Sequence, residues 1–401
     1  MLNLPVYLDY NATTPMDERV LEDMSPYFLK HFGNAASRSH SFGWEAEEAV
    51  EYAREQVAKL VGAEPKEIIF TSGATEADNL ALKGVSEMYA AKGNHIITVI
   101  TEHKAVLDTC THLEKLGSNI TYLTVKKDGL IDLRELEKAI RPDTILISIM
   151  YANNEIGVIQ PIQEISALAK KHGVLFFTDA TQAVGRIPVN VIKDGIDLMS
   201  FSAHKIYGPK GIGALYIRRK SPRVRVTAQI DGGGHERGMR SGTLNVPGIV
   251  GFGKACELCR IEMPKHSQRI KNLRDKLESN LLKMEGVFVN GNTEQRLPNV
   301  CNLSFKNVES EGLLSGFSKN IAVSSGSACT SATLEPSYVL KALGVEDNLA
   351  KAAIRFSLGR FTTEEEIDYA IKQVSETVMK MRSVPTESEE KENAYHAGFL
   401  N

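Results

Sequence analysis

The sequence predicts an α/β protein: a largely parallel sheet covered by helices, followed by a smaller α+β unit. Between about residues 60 and 220, short β-branched and apolar runs alternate with helical stretches, the pattern of buried strands joined by crossover helices. Beyond residue 255 the pattern turns into a charged helical run and then into further strands. The length, 401 residues, exceeds what one core usually serves and favours two lobes.

Taken in order, the strand runs are EIIF at 67–70, HIITVIT at 95–101, TILISIM at 144–150, VLFFT at 174–178 and LMSFS at 198–202. A helix is expected over 255–285, strands in NVCNLSF and IAVSS, and a closing helix from Thr363 to Met381. The last stretch, SVPTESEEKENAYHAGFLN, is polar and acidic with little to bury, so it is expected to be a loose tail.

Composition narrows the function classes. With 42% hydrophobic and 24% charged residues and a net charge of -3, the chain reads as an ordinary globular protein with no basic domain for nucleic acid. The start, MLNLPVYLDY, lacks a secretion signal, and no apolar stretch approaches the roughly 18 residues of a membrane span, so a cytoplasmic location is expected. Five cysteines (Cys110, Cys256, Cys259, Cys301 and Cys329) are too sparse for a disulfide framework and point to reduced thiols.

In parallel sheets ligands collect beyond the carboxyl ends of the strands, and here those positions are polar. After EIIF, Ser72-Gly73-Ala74-Thr75 leads into a helix expected at Glu76, whose unpaired N–H groups suit a phosphate; an ordinary capped turn has the same composition. Asp179 follows VLFFT, where a buried carboxylate needs a cation such as a protonated pyridine nitrogen, or else caps a helix. Lys205 follows LMSFSAH, and a desolvated amine there can form a Schiff base with an aldehyde, although most lysines are merely solvated. His103, after the second run, could stack on a cofactor ring or be a simple loop residue.

Cys329 lies in SSGSACTSAT, residues 324–333, ten small residues without a large apolar anchor; such a stretch is expected to be exposed and mobile, which suits a reactive thiol. Cys256 and Cys259, in the helical run KACELCRIEM, read as packing residues.

Taken together, LDYNATTP, FTSGATEADN, TEHKAVLDTC, NNEIGV, DATQAVG, SAHKIYGPKGIG, GGGHERGMRSGT, SSGSACTSA and RFSLGRFTTEEEID resemble the cysteine desulfurases of the IscS/NifS class over residues 4–382. The resemblance implies a fold-type I pyridoxal-phosphate (PLP) enzyme. Its large domain, residues 16–260, would hold a mainly parallel seven-stranded sheet between helices; residues 1–15 and 261–382 would form a small domain carrying the catalytic cysteine, with 383–401 as tail. It implies Lys205 as the Schiff-base lysine, Asp179 as the pyridine partner, His103 as the ring-stacking group and proton shuttle, and Gln182 at the phenolic oxygen. Ala74, Thr75, Ser202 and His204 would surround the phosphate, Thr243 would reach it from a second subunit, Asn154 would line the site, and Arg355 would hold the substrate carboxylate. Cys329 would receive the sulfur of L-cysteine as a persulfide.

The resemblance further implies a homodimer that passes sulfur to an iron-sulfur scaffold protein and other acceptors, including those of tRNA thiolation. It implies no intrinsic metal, beyond an iron-sulfur cluster that Cys329 could transiently ligate with the scaffold. Two positions depart from the family pattern: Ala35 stands where proline is usual, and Ala203 where glycine is common. The competing readings are a PLP aminotransferase or lyase of the same fold, and a sulfur-carrier scaffold without activity. Cys329 separates the first from a desulfurase; retained Lys205 and Asp179 speak against the second.

Overall fold

The computed structural model describes residues 2–308, 310–325 and 335–383. Thirteen strands are formed among these residues: β1 Val6–Tyr7, β2 Ile68–Thr71, β3 His95–Val99, β4 Asn119–Leu123, β5 Thr144–Ser148, β6 Leu175–Asp179, β7 Leu198–Ser202, β8 Gly213–Ile217, β9 Val287–Val289, β10 Val300–Phe305, β11 Ile321–Ala322, β12 Ser324–Ser325 and β13 Ala353–Ser357. The helices are α1 Glu18–Met24, α2 Pro26–Leu29, α3 Ser41–Val61, α4 Ala74–Met88, α5 Lys104–Lys115, α6 Leu133–Ala139, α7 Ile162–Lys171, α8 Val246–Leu281, α9 Ser310–Phe317, α10 Tyr338–Ala342, α11 Asp347–Lys351 and α12 Glu364–Arg382.

The main sheet has seven strands in the order β2-β8-β7-β6-β5-β3-β4. All run parallel except β8, which is antiparallel to both neighbours. Each of the five expected runs became a strand, and β4 and β8 complete the sheet. Its strands are buried on both faces, which is why they read as continuous apolar runs. Phe70, Phe176 and Phe201 face one core, shared with α3 and α8, while Ile69, Phe177 and Leu198 face another, shared with α4 and α5.

A separate four-stranded antiparallel sheet, β12-β13-β10-β9, packs on the C-terminal half of α8 and on α12. Its core joins Leu277, Phe305, Ile354, Phe356, Ile367 and Val374 with Val6 and Leu8 from the N-terminal segment, where β1 pairs in parallel with β11. The closing helix α12 starts one residue after its expected first position, because Thr363 is its N-cap, in a capping box with Glu366.

Three expectations are corrected. The helix expected from 255 begins at Val246 and runs 36 residues as α8, through Pro264. Helix α4 starts at Ala74 rather than Glu76, and its N-cap, Gly73, offers no side-chain cap. Ser324 and Ser325, read both as the end of the IAVSS strand and as the head of a mobile stretch, form β12 against β13, and Ser324 is buried, so the strand reading holds and the mobile one does not. Residues 326–334, including Cys329, and the tail from 384 lie outside the described residues.

Candidate active site

The carboxyl ends of β2, β3, β5, β6 and β7 open into one cavity of about 650 Å³. The N-terminal residues Asp9, Asn11, Ala12 and Thr13 wall it from one side, and Ser324 and Arg355 of the small sheet close it from another. Of the residues singled out in the sequence, Ala74, Thr75, His103, Asn154, Asp179, Gln182, Ser202, His204, Lys205 and Arg355 all line this cavity. Thr243 does not; it lies exposed on the chain before α8.

Strand periodicity explains how the acidic wall is built. Asp179 ends β6 on the same side as Phe177, and its register partner on β7 is Ser200. Asp179 Oδ1 accepts the N–H of Thr181, 2.8 Å away, so the carboxylate is fixed by its own turn. Behind it, Ser200 Oγ lies 2.5 Å from Asp78 Oδ1 on α4, and Asp78 Oδ2 is buried without a hydrogen-bond partner among the described residues. Glu102 Oε1 accepts the N–H of Met150 at 2.5 Å. Burial first, and the neighbouring charge of Asp179 second, push both Asp78 and Glu102 well above the usual carboxylate range.

The basic wall comes from the turn after β7. Lys205 Nζ donates to the carbonyl oxygens of Asn11 and Ala12, both at 2.6 Å, which draws the N-terminal segment over the strand ends. His204 Nδ1 lies 3.1 Å from Thr13 Oγ1, and burial, reinforced by Lys205, Lys210 and Arg186, pushes its pKa down to about 4, so the ring is neutral. His103 caps α5: its Nδ1 accepts the N–H of Ala105 at 3.2 Å, which assigns the proton of the neutral ring to Nε2. Gln182 is held by Asn11 and Arg186 through Nε2 and Oε1 respectively.

Arg355 enters from β13. Its neighbours Ile354 and Phe356 belong to the small core, so the alternation of the strand turns the guanidinium the other way, into the cavity. There it donates to the Asn154 carbonyl oxygen (3.1 Å), to Asp9 Oδ1 (2.7 Å) and to Ser324 Oγ (3.0 Å), while Nε is buried without a partner among the described residues.

The donor set fits pyridoxal phosphate. The first-turn N–H groups of α4 lack a side-chain cap and suit its phosphate. The turn is held close to the sheet at Gly213, where a Cβ would lie 2.8 Å from the Gly73 Cα and the Phe201 carbonyl oxygen. Asp179 brings to the cavity a carboxylate of the kind a pyridine nitrogen would need, Lys205 brings an amine from the end of the neighbouring strand, and Asn154 Oδ1 and Thr181 Oγ1 are buried without a hydrogen-bond partner among the described residues. The profile of the class-V aminotransferase family matches residues 6–370. The chain belongs to that family, in its branch of IscS/NifS-class cysteine desulfurases. It is 59% identical over 385 residues to the cysteine desulfurase IscS of Pectobacterium carotovorum subsp. carotovorum (strain PC1), covering 96% of this chain and 95% of that one. Among solved structures it resembles a NifS-like protein at 42% identity and a TM-score of 0.87, over 94% of this chain and all of that one. It also resembles a protein named SspA, solved in complex with cysteine, at 37% identity and a TM-score of 0.78, over 89% of this chain and all of that one.

Four cysteines are described, and all are buried. Burial pushes the thiols of Cys110, Cys259 and Cys301 up to about 12, and that of Cys256 well above its ordinary value, so none is a nucleophile near pH 7. Cys256 and Cys259 pack on α8 as expected. Asp9, Asn11, Asp78 and Glu102 also belong to the region of the cavity, and the sequence alone assigned none of them a role, although Glu102 follows the second strand run directly. Asp78 was within reach, since it follows Ala74 by four positions and so returns to the same face of α4; the N-terminal pair carried no local signal beyond its place in LDYNATTP.

Proposed function

We propose that this PLP-dependent desulfurase converts L-cysteine to L-alanine and carries the released sulfur on Cys329 as a persulfide. The observation that carries the reading is the convergence of Lys205, Asp179 and Arg355 on one cavity from two different sheets. The bound cofactor supplies an electron sink that makes the bonds at the substrate's α and β carbons breakable. Asp179 would hold the pyridine nitrogen protonated, Gln182 would bind the phenolic oxygen, and His103 would stack on the ring. Ala74, Thr75, Ser202 and His204 hold the phosphate. Arg355 exchanges Asp9 for the substrate carboxylate and, with Asn154, orients it. Lys205 Nζ takes the α-proton, and His103 Nε2 relays protons to the departing groups.

The Cys329 thiolate then attacks the substrate sulfur: a sulfur-sulfur bond forms, the carbon-sulfur bond breaks, and protonation of the carbon fragment yields alanine. Thr243 completes the phosphate site of the partner subunit in a homodimer, and the persulfide passes to an iron-sulfur scaffold and to tRNA-thiolation carriers. Among the described residues no helix is long and apolar enough to cross a membrane, which supports a cytoplasmic location. Incubation of the holoenzyme with L-cysteine and a thiol tests the activity: alanine and sulfide appear in equal amounts. Keto acid without sulfide would favour an aminotransferase instead.

A further inference from the structure

Glu155, the third residue of the Asn153-Asn154-Glu155 turn after β5, is 6% exposed and has no part in the chemistry above. Its main chain is fixed from both sides: its N–H donates to Asn153 Oδ1 at 2.8 Å, and its carbonyl oxygen accepts from Asn302 Nδ2 at 3.3 Å. The side chain reaches across to the small lobe, where Glu155 Oε2 accepts the hydroxyl of Ser337 at 2.5 Å. Ser337 is the N-cap of α10, and its Oγ also accepts the N–H groups of Val339 and Leu340. Its single hydroxyl proton is thereby committed to Glu155.

The next residue repeats the attachment. Tyr338 donates its hydroxyl to the Glu102 carbonyl oxygen at 2.6 Å, and the Lys104 ammonium lies 4.8 Å from its ring centroid. Residues 337 and 338 are therefore pinned beyond the ends of β5 and β3, to the residues next in sequence to Asn154 and His103, which line the cavity. Cys329 precedes Ser337 by only eight positions. On the other side of the turn, the adjacent Asn154 carbonyl oxygen takes a hydrogen bond from Arg355, whose charge also acts on Glu155. A carboxyl buried at such a junction is expensive to keep unless its contact is used.

We propose that Glu155 is a positioning residue for the sulfur-transfer step: it fixes Ser337, eight positions after Cys329, to the same turn that holds Arg355. The inference rests on the desulfurase reading and deepens it. Displacing a reacting group by about 1 Å can cost on the order of a hundredfold in rate, so cutting this attachment should slow transfer without weakening substrate binding.

The test compares full-length holoenzymes of wild type, Glu155→Ala, Glu155→Gln, Ser337→Ala and Glu155→Gln with Ser337→Ala. Extra sulfur on Cys329 is followed by mass spectrometry after single-turnover mixing with L-cysteine, alongside KM and the rate of iodoacetamide labelling at Cys329 without substrate. In Glu155→Ala, transfer should fall about tenfold or more while KM stays within about threefold, and labelling should change by about threefold or more. Glu155→Gln, which still accepts the Ser337 hydroxyl, should recover transfer to within about threefold, and Ser337→Ala should reproduce Glu155→Ala in either background. If Glu155→Ala does not fold, the Gln and Ser337 variants carry the same comparison. Unchanged transfer in Ser337→Ala, a Gln variant as slow as Ala, or KM rising in step with the loss of rate would overturn the proposal. Wild type that places no sulfur on Cys329 would instead sink the desulfurase reading itself.

Discussion

Asp9 Oδ1 lies 2.7 Å from a terminal nitrogen of Arg355, so the guanidinium that faces the cavity is already held by a carboxylate. Both side chains are largely buried, at 17% and 6% exposure. A substrate carboxylate bound at Arg355, as proposed, would replace or share this partner, and only a planar fork could keep Asn154 and Ser324 while turning two nitrogens to the newcomer.

Arg355→Lys should therefore raise KM for L-cysteine by about tenfold or more, with a much smaller change in kcat. Steady-state alanine formation measures both. An unchanged KM would remove Arg355 from the substrate site.

Asp179→Asn should fold and bind the cofactor but lose alanine formation by about a hundredfold or more at saturating cysteine, because a neutral amide cannot hold a pyridinium charge. Asp78 and Glu102 are poor substitutes: burial disfavours a negative charge on either, and their hydrogen bonds go to Ser200 and to the Met150 N–H. Near-normal turnover in the variant would contradict the assignment.

Glu155 gives a pH dependence with a definite sign. Burial raises its pKa to about 7, opposed by Ser337 and by the positive charge of Arg355. The folded state therefore holds a proton that the unfolded chain has released, so this contribution is complete below about pH 4.5 and is lost as pH rises through about 7. The shift amounts to about 3 kcal/mol in all. Glutamine does not titrate, so Glu155→Gln should lose less Tm than wild type between pH 5.5 and 8.5, by a few degrees. Parallel melting curves across that range would show that the carboxyl does not titrate there.

How much of this could be read from the sequence follows from the range of each contact. The five strand runs and the residues directly after them were legible because a buried parallel strand is a local apolar run and its chemistry sits at its end; Asp179 and Lys205 came from that rule. The start of α8 was missed because its first turns are rich in glycine, which reads as turn. Gly253 is there for close packing, since a Cβ would lie 2.6 Å from the Ala53 Cα on α3. The reversed direction of β8 left no mark on its apolar run GALYI. Asp9, Asn11 and Glu155 act through partners more than 140 positions away, and no period in the sequence reports such a contact.

The central claim is that Cys329 receives the sulfur, and mass spectrometry of Cys329→Ser against wild type, each treated with L-cysteine, tests it most directly. A serine hydroxyl neither attacks sulfur near neutral pH nor carries a persulfide, and the described cysteines are buried with raised thiol pKa values. Wild type should gain one extra sulfur on the peptide containing Cys329, whereas Cys329→Ser should keep its cofactor and lose alanine, sulfide and the modified peptide together. Extra sulfur on any other peptide, or a serine variant that still turns over, would contradict the account.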